Sequence, residues 1–357
     1  MSGQWGKKVK YSIFGESHGR GIGIIIDGLP PGIKLDMDFI NSEMQRRAPG
    51  LDEFSTKRKE GDKFEILSGY FNGYTTGTPL CSVIFNENQN SKDYDKLKDL
   101  ARPGHADFTG KVKYSGFNDY RGGGHFSGRI TAPLVFAGAL AKQILFDKGI
   151  EIGSHILSIG NVFDSYFDGV NLNKHILADI LKKNFPVIDD TKGKEMKNII
   201  LKAKEEIDSV GGIIEATILN VPCGLGEPFF DSIESNLAQL LFSVPAVKGV
   251  EFGIGFEITK LRGSVANDAL YMKNGSGATK TNNNGGINGG ISNGMPIVFR
   301  VAMKPTPSIA RPQDTIDMVT CENSKVSVTG RHDPCIVLRA LPVIEACAAM
   351  KIGRAHV

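Results

Sequence analysis

Residues 130 to 146 read ITAPLVFAGALAKQILF, a run that is apolar on nearly every face of a helix. A surface helix keeps one polar side, so a helix without one must be covered all round. The segment therefore predicts a buried central helix with other elements packed on more than one side of it. Strand-like runs come in pairs: VKYSIFG with GIGIIID, FEILSG with LCSVIF, GGIIEATIL with VEFGIGFEI, and MPIVFRVAM with SKVSVTG. Strands that cluster with strands, instead of alternating one for one with helices, point to an α+β sandwich and away from a doubly wound parallel sheet. Asp36 is expected to cap the helix DMDFINSEMQRR, and Asp231, after Pro228, the helix FDSIESNLAQLLFSV.

No Pro- or Ser-rich linker and no fixed-period repeat interrupts the chain, so residues 1–351 are read as a single domain. Residues 163–204, richer in Lys, Asp and Asn, are expected to form a surface excursion around one or two helices. The segment 352–357, IGRAHV, follows a helical run that stops at Met350 and Lys351, and its back-translation can read as adapter sequence ending in a stop codon. It is expected to be a non-native tail, with no functional weight on His356.

A net charge of only +3 gives the whole molecule no reason to bind nucleic acid or a membrane, so any basic patch must be local. The apolar runs are read as too short to span a bilayer, and MSGQWGKKVKYS lacks the apolar core of a signal peptide, which makes the expected location cytoplasmic. Cys81, Cys223, Cys321, Cys335 and Cys347 lack metal-ligand spacing and are odd in number, so they are expected to be reduced core thiols.

Forty-three glycines, clustered in GESHGRGIG, YRGGGHFSG and NNNGGINGGISNG, imply ordered loops whose backbone does a job that side chains would obstruct. Four loops, FGESHGRG, ARPGHADF, GGGHFSGR and TGRHDPC, carry a histidine beside glycine and near an arginine: His18, His105, His125 and His332. If they converge, imidazoles beside guanidiniums make a site that binds anions and moves protons. HxH, HExxH and CxxC are absent, and cationic neighbours would repel a divalent ion, so no metal is expected. The stretch from Gly123 to Ile130 is a near miss to a nucleotide-binding loop, with Arg129 in place of lysine and Ile130 in place of the hydroxyl that holds magnesium. Arginines 46, 47, 58, 102, 121, 129, 331 and 339 exceed what one carboxylate requires, so the implied ligand is polyanionic and carries phosphate.

Taken in order, FGESHG, PPGI, RRAPG, EILSGYFNGYTTGTPL, RPGHAD, DYRGGG, GLGEPFFD, PAVKGVEFG, GGINGGISNG, KPTPSI and GRHDPC resemble the chorismate synthase family from residue 1 to about 351. The resemblance implies a β-α-β sandwich of antiparallel sheets around a helical core, in a homotetramer. It implies a reduced-FMN-dependent 1,4-elimination of phosphate from 5-enolpyruvylshikimate 3-phosphate to give chorismate, in the shikimate pathway, with a link to NADPH. No segment is left over for a reductase, so an external flavin reductant is expected.

By the same resemblance His18 would protonate the departing phosphate and His105 the reduced flavin, while Asp333, helped by Ser17 and Ser127, would assist removal of the second proton. FMN would be lined by His125, Phe126, Ser127, Ala246, Gly289, Lys304, Pro305, Thr306, Pro307, Ser308 and Arg331. Substrate anions would fall to Arg47, Arg58, Arg129 and Arg331. The glycines before the central helix would let flavin and phosphate lie against backbone. Where the family commonly has Arg-Ser-Ser-Ala-Arg-Glu-Thr after those glycines, this chain has His125, Phe126, Ser127, Gly128, Arg129, Ile130 and Thr131. One cation thus becomes a titratable group.

Overall fold

A computed structural model describes residues 3–50, 61–86, 98–328 and 333–353. Two antiparallel five-stranded sheets enclose a layer of helices. The first sheet runs Gln4–Trp5, Lys10–Gly15, Gly21–Asp27, Leu80–Phe85, Phe64–Ser68 in spatial order. The second runs Val247–Phe252, Ile297–Met303, Gly212–Leu219, Glu151–Ile159, Val162–Phe163.

Period-two alternation sets which face of each strand is covered. In Gly21–Asp27, Ile22, Ile24 and Ile26 are buried while Ile25 is exposed. Those inward side chains meet the central helix, Ala132–Phe146, which also packs on Leu80–Phe85. The C-terminal helix, Val337–Gly353, lies along the central helix and covers Glu151–Ile159 and Gly212–Leu219 of the second sheet. The first helix, Met37–Arg47, and the helix Ile233–Ser243 complete the layer. Gly138 brings the two long helices together, since a Cβ there would sit 2.2 Å from Ala346 Cβ. Phe136 is fully enclosed and packs at a tilt on Phe64, with ring centroids 4.9 Å apart, a burial that stabilises by about 2–3 kcal/mol.

Three helices of this layer and one strand of the second sheet are tied by buried charge. Glu345 accepts from Arg46 Nη1 and Nη2 at 2.7 and 2.9 Å, from Ser154 Oγ at 2.6 Å and from Lys142 Nζ. Glu43 accepts from the same Arg46 and Lys142. Burial alone would push the Glu345 carboxyl up, but the two cations outweigh it and hold it well below the usual carboxylate range.

The central helix is buried as its composition requires, and Pro133 sits in its first turn, where a missing N–H costs nothing. By length and composition Gly128–Phe146 could cross a membrane, contrary to the sequence reading, but 78% of that window is buried inside the fold. Asp36 caps the first helix by accepting from Phe39 N at 3.0 Å. The later helix is capped by Ser232, which accepts from Ser235 N, and not by Asp231, whose side chain instead meets Lys7.

Two expected strand pairs are also corrected. Gly212–Leu219 and Val247–Phe252 are not neighbours, because Ile297–Met303 lies between them and bonds to both. The strand Glu322–Val326 pairs with Gln313–Asp317 instead of with Ile297–Met303. The excursion at 163–204 holds two helices, Lys174–Leu181 and Asp190–Glu205. It is fastened to the second sheet by His155, whose ring nitrogens meet Asp164 at 3.2 Å and Glu215 at 3.0 Å.

The cysteines are free thiols, of which Cys335 and Cys347 are buried, whereas Cys223 and Cys321 are exposed and so are not core residues. The C-terminal helix continues past the expected break after Lys351, and Ile352 and Gly353 are buried against the core. The remaining four residues, including His356, lie outside the described residues.

Candidate active site

A cavity of about 880 Å³ opens where the glycine turn at 121–126, the start of the central helix, the end of the helix Ile233–Ser243 and the segment after Met303 meet. It is lined by Ser17, His18, Arg47, His105, His125, Phe126, Ser127, Arg129, Ala246, Lys304, Thr306, Pro307, Ser308 and Asp333, all of them named from the sequence. A larger cavity of about 1110 Å³ opens beside Arg46, Arg339 and Glu345 but includes none of the residues expected to act in catalysis or to line flavin or substrate.

The glycine turn is a scaffold for two imidazoles. Gly122, Gly123 and Gly124 all have positive φ, at 63°, 112° and 53°, which a residue with a side chain rarely adopts. A Cβ on Gly122 would overlap the His18 ring, and one on Gly123 would lie 3.1 Å from His105 Cε1 and Nε2. A Cβ on Gly124 would collide with the Asp119 carbonyl. The loop bearing His18 is joined to the turn by Ser17 N donating to Gly124 O at 3.1 Å. The glycines thus let the His18 and His105 rings rest on backbone.

Hydrogen bonding orients each ring. His105 Nδ1 is 2.8 Å from Asp107 Oδ1, and because an ionised carboxylate only accepts, Nδ1 carries the hydrogen. Proton exchange at this ring then falls to Nε2, on the Gly123 side. Asp107 is itself held by Arg102, through Nε and Nη2 at 2.7 Å each. Burial pushes its carboxyl up, but the bonds from Arg102 and His105 prevail and keep it below the usual range. The Ser17 hydroxyl donates to Arg121 O and lies 3.2 Å from His18 Nδ1, so it can accept from that nitrogen. His125 donates from Nδ1 to Gly15 O at 2.8 Å. Phe126 turns toward Tyr114, with ring centroids 6.2 Å apart.

The cations are not bare. Asp62 accepts from Nη1 of both Arg47 and Arg129. Arg47 Nε also reaches Thr131 Oγ1 at 3.2 Å, and burial, the largest influence, lowers its pKa to about 10. Arg339 donates to Asp333 at 2.5 Å and to the Arg47 carbonyl at 3.2 Å. Arg121 is paired with Asp119 and Arg46 with Glu43 and Glu345. Lys304 donates to Gly104 O, and burial followed by the charge of Lys248 lowers its pKa. The excess of arginine in the sequence is thus partly balanced by acids, some of them close neighbours in the chain and one, Asp62, brought from 15 and 67 residues away.

Ser127 Oγ accepts from Arg129 N at 3.2 Å, capping the short turn before the central helix. Ser308 Oγ accepts from Arg102 Nη1 at 3.4 Å. Two of the expected flavin-lining residues fall outside the cavity wall, as do Arg46 and Arg121: Gly289 turns the hairpin between Ile287–Asn288 and Ile291–Ser292, and Pro305 packs beside Gly211. Arg58, Arg331 and His332 lie outside the described residues. Sequence reasoning gave no role to Asp62, Asp107 or Asp119. The signal available for Asp107 was its spacing of two from His105, and for Asp119 its spacing of two from Arg121. Asp62 offered none.

The chorismate synthase family model matches residues 9–357. A chorismate synthase of Dehalococcoides mccartyi is 47% identical over 355 residues, covering 99% of this chain and 96% of its own. One from Thermococcus gammatolerans is 47% identical over 348 residues, covering 98% and 96%. A crystal structure of chorismate synthase superposes with a TM-score of 0.75 at 32% identity, over 98% of this chain and 91% of that one.

Proposed function

The chain belongs to the chorismate synthase family and is a phosphate-eliminating lyase of the shikimate pathway; from that premise we propose that the 880 Å³ cavity takes 5-enolpyruvylshikimate 3-phosphate together with reduced FMN. The observation that carries this reading is the meeting of His18 and His105 on adjacent glycines, beside Arg47 and Arg129, in one cavity.

The wall fits a flavin. Its volume lies within the range of small-molecule pockets, and it combines Phe126, Ile336, Val343 and Met350 with polar groups. Thr306 Oγ1, on that wall, is buried without a hydrogen-bond partner among the described residues, as a group awaiting a ligand would be. His125, Phe126, Ser127, Ala246, Lys304, Thr306, Pro307 and Ser308 would hold the cofactor. When bound, reduced FMN would lend electron density to the allylic carbon that loses phosphate.

The chain's own residues do the rest. Arg47 and Arg129 hold the anionic groups and oppose the charge that builds on the leaving phosphate. His18 donates a proton to that phosphate, with Nδ1 turned to Ser17 and Nε2 as the transferring atom. His105 holds a proton at Nε2, its ring fixed by Asp107. Asp333, paired with Arg339, assists removal of the second proton, with Ser17 and Ser127 close by on the wall. A single domain over residues 1–351, a homotetramer, a cytoplasmic location and an external, NADPH-linked source of reduced flavin complete the proposal.

The test is an anaerobic assay of the purified protein with photoreduced FMN and 5-enolpyruvylshikimate 3-phosphate. Chorismate should form with reduced FMN and not with oxidised FMN. Tight flavin binding without product would replace this reading with that of a silent flavin-binding relative.

A further inference from the structure

Asp62 has no part in the steps assigned above, yet it is the most thoroughly enclosed acid beside the cavity. Its side chain is wholly shielded from solvent, and its φ of 45° lies in the left-handed region that Asp tolerates better than most residues. Its two oxygens go to different partners, Oδ2 to Arg47 Nη1 and Oδ1 to Arg129 Nη1. Both arginines line the cavity and Asp62 does not, so the carboxylate stands behind them.

Each guanidinium is pinned at further points. Arg47 Nη2 meets Gly128 O at 3.3 Å and its Nε meets Thr131 Oγ1, while Arg129 Nε meets Asn86 Oδ1 at 3.1 Å. A guanidinium is a rigid planar fork with five N–H groups, so fixing several of them to the wall dictates where the others face. Without a carboxylate between them, two buried guanidiniums repel, and each lowers the other's share of a fixed geometry. Burial works against ionisation of Asp62, but the two arginines outweigh it and keep it charged.

We propose that Asp62 is a positioning residue for anion recognition, which bridges Arg47 and Arg129 from behind and sets the spacing and direction of both forks. This rests on the reading of the cavity as a phosphate-substrate site. The competing role, a mere counter-charge, makes the opposite prediction: removing the negative charge would then strengthen anion binding.

The experiment titrates wild-type protein and Asp62→Asn with inorganic phosphate and with 5-enolpyruvylshikimate 3-phosphate by calorimetry at low salt, with thermal unfolding and steady-state kinetics alongside. Although Asp62→Asn is one negative charge poorer, it should bind phosphate at least about tenfold more weakly, and KM should rise by a similar factor while kcat changes less. Equal or tighter phosphate binding by the variant overturns the proposal, as does absence of phosphate binding by wild type. Wild-type protein that binds phosphate but not 5-enolpyruvylshikimate 3-phosphate counts against the proposed function, and the phosphate comparison still decides the role of Asp62. Should Asp62→Asn not fold, Asp62→Glu keeps the charge and moves it by one methylene. Weaker phosphate binding is expected there too, and unchanged affinity overturns the proposal.

Discussion

Gly122 lies so close beneath His18 that a Cβ on it would sit 2.0 Å from ring atoms Cε1 and Nδ1. Gly122→Ala must therefore displace the imidazole or the turn. Strain at φ 63° should cost about 1 kcal/mol in stability, and a shift of about 1 Å in the ring should cut kcat by about 100-fold. Activity measured beside a thermal melt separates the two effects. A variant with unchanged kcat would show that His18 need not rest on this backbone.

His18→Ala and His105→Ala should each lower turnover by about two or more orders of magnitude while the fold persists by circular dichroism. Asp107→Asn should lower it less, by about tenfold, because it loosens the orientation of His105 without removing the ring. Near-normal rates in both alanine variants would remove the proton roles from these histidines.

Acid stability should depend on Asp62 and Asp107. Both carboxyls titrate below the ordinary Asp value of about 4 in the folded protein, so their stabilising contribution is complete above that pH and is lost as pH falls below it toward the folded values. Melting temperature plotted against pH should thus fall less steeply below pH ~4 for Asp107→Asn than for the wild type. Parallel curves would show that the Arg102–Asp107–His105 group does not contribute.

Glu345→Ala leaves Glu43 alone to balance both Arg46 and Lys142 in a buried setting and leaves Ser154 without its acceptor. The loss should be about 3–5 kcal/mol in urea unfolding, far more than for an exposed pair such as Lys182–Asp179. A loss under about 1 kcal/mol would mean that water enters the cluster when the carboxylate is gone.

Local chemistry was the readable part of this sequence. An apolar segment with no polar face announced the central helix, and Asp36 before an acidic first turn announced a cap. The three glycines marked an unusual backbone, but nothing local revealed that the objects resting on them would be His18 and His105, brought from before and beside the turn. Asp62 was silent for the same reason: its partners stand 15 and 67 residues away. The order of the second sheet was equally out of reach, since Ile297–Met303 inserts between strands that precede it by some fifty residues or more, and hydrophobic alternation is identical for every possible neighbour.

The C-terminal helix fills the layer between the sheets and supplies Glu345, Arg339 and part of the cavity wall. A ribosome that has emitted residues 1–336 therefore holds a chain with its inner layer half built, the apolar flank of the central helix uncovered and the site unassembled. Stalled nascent chains of that length should be protease-sensitive and chaperone-bound, and protection should arrive only once the final helix has cleared the exit tunnel.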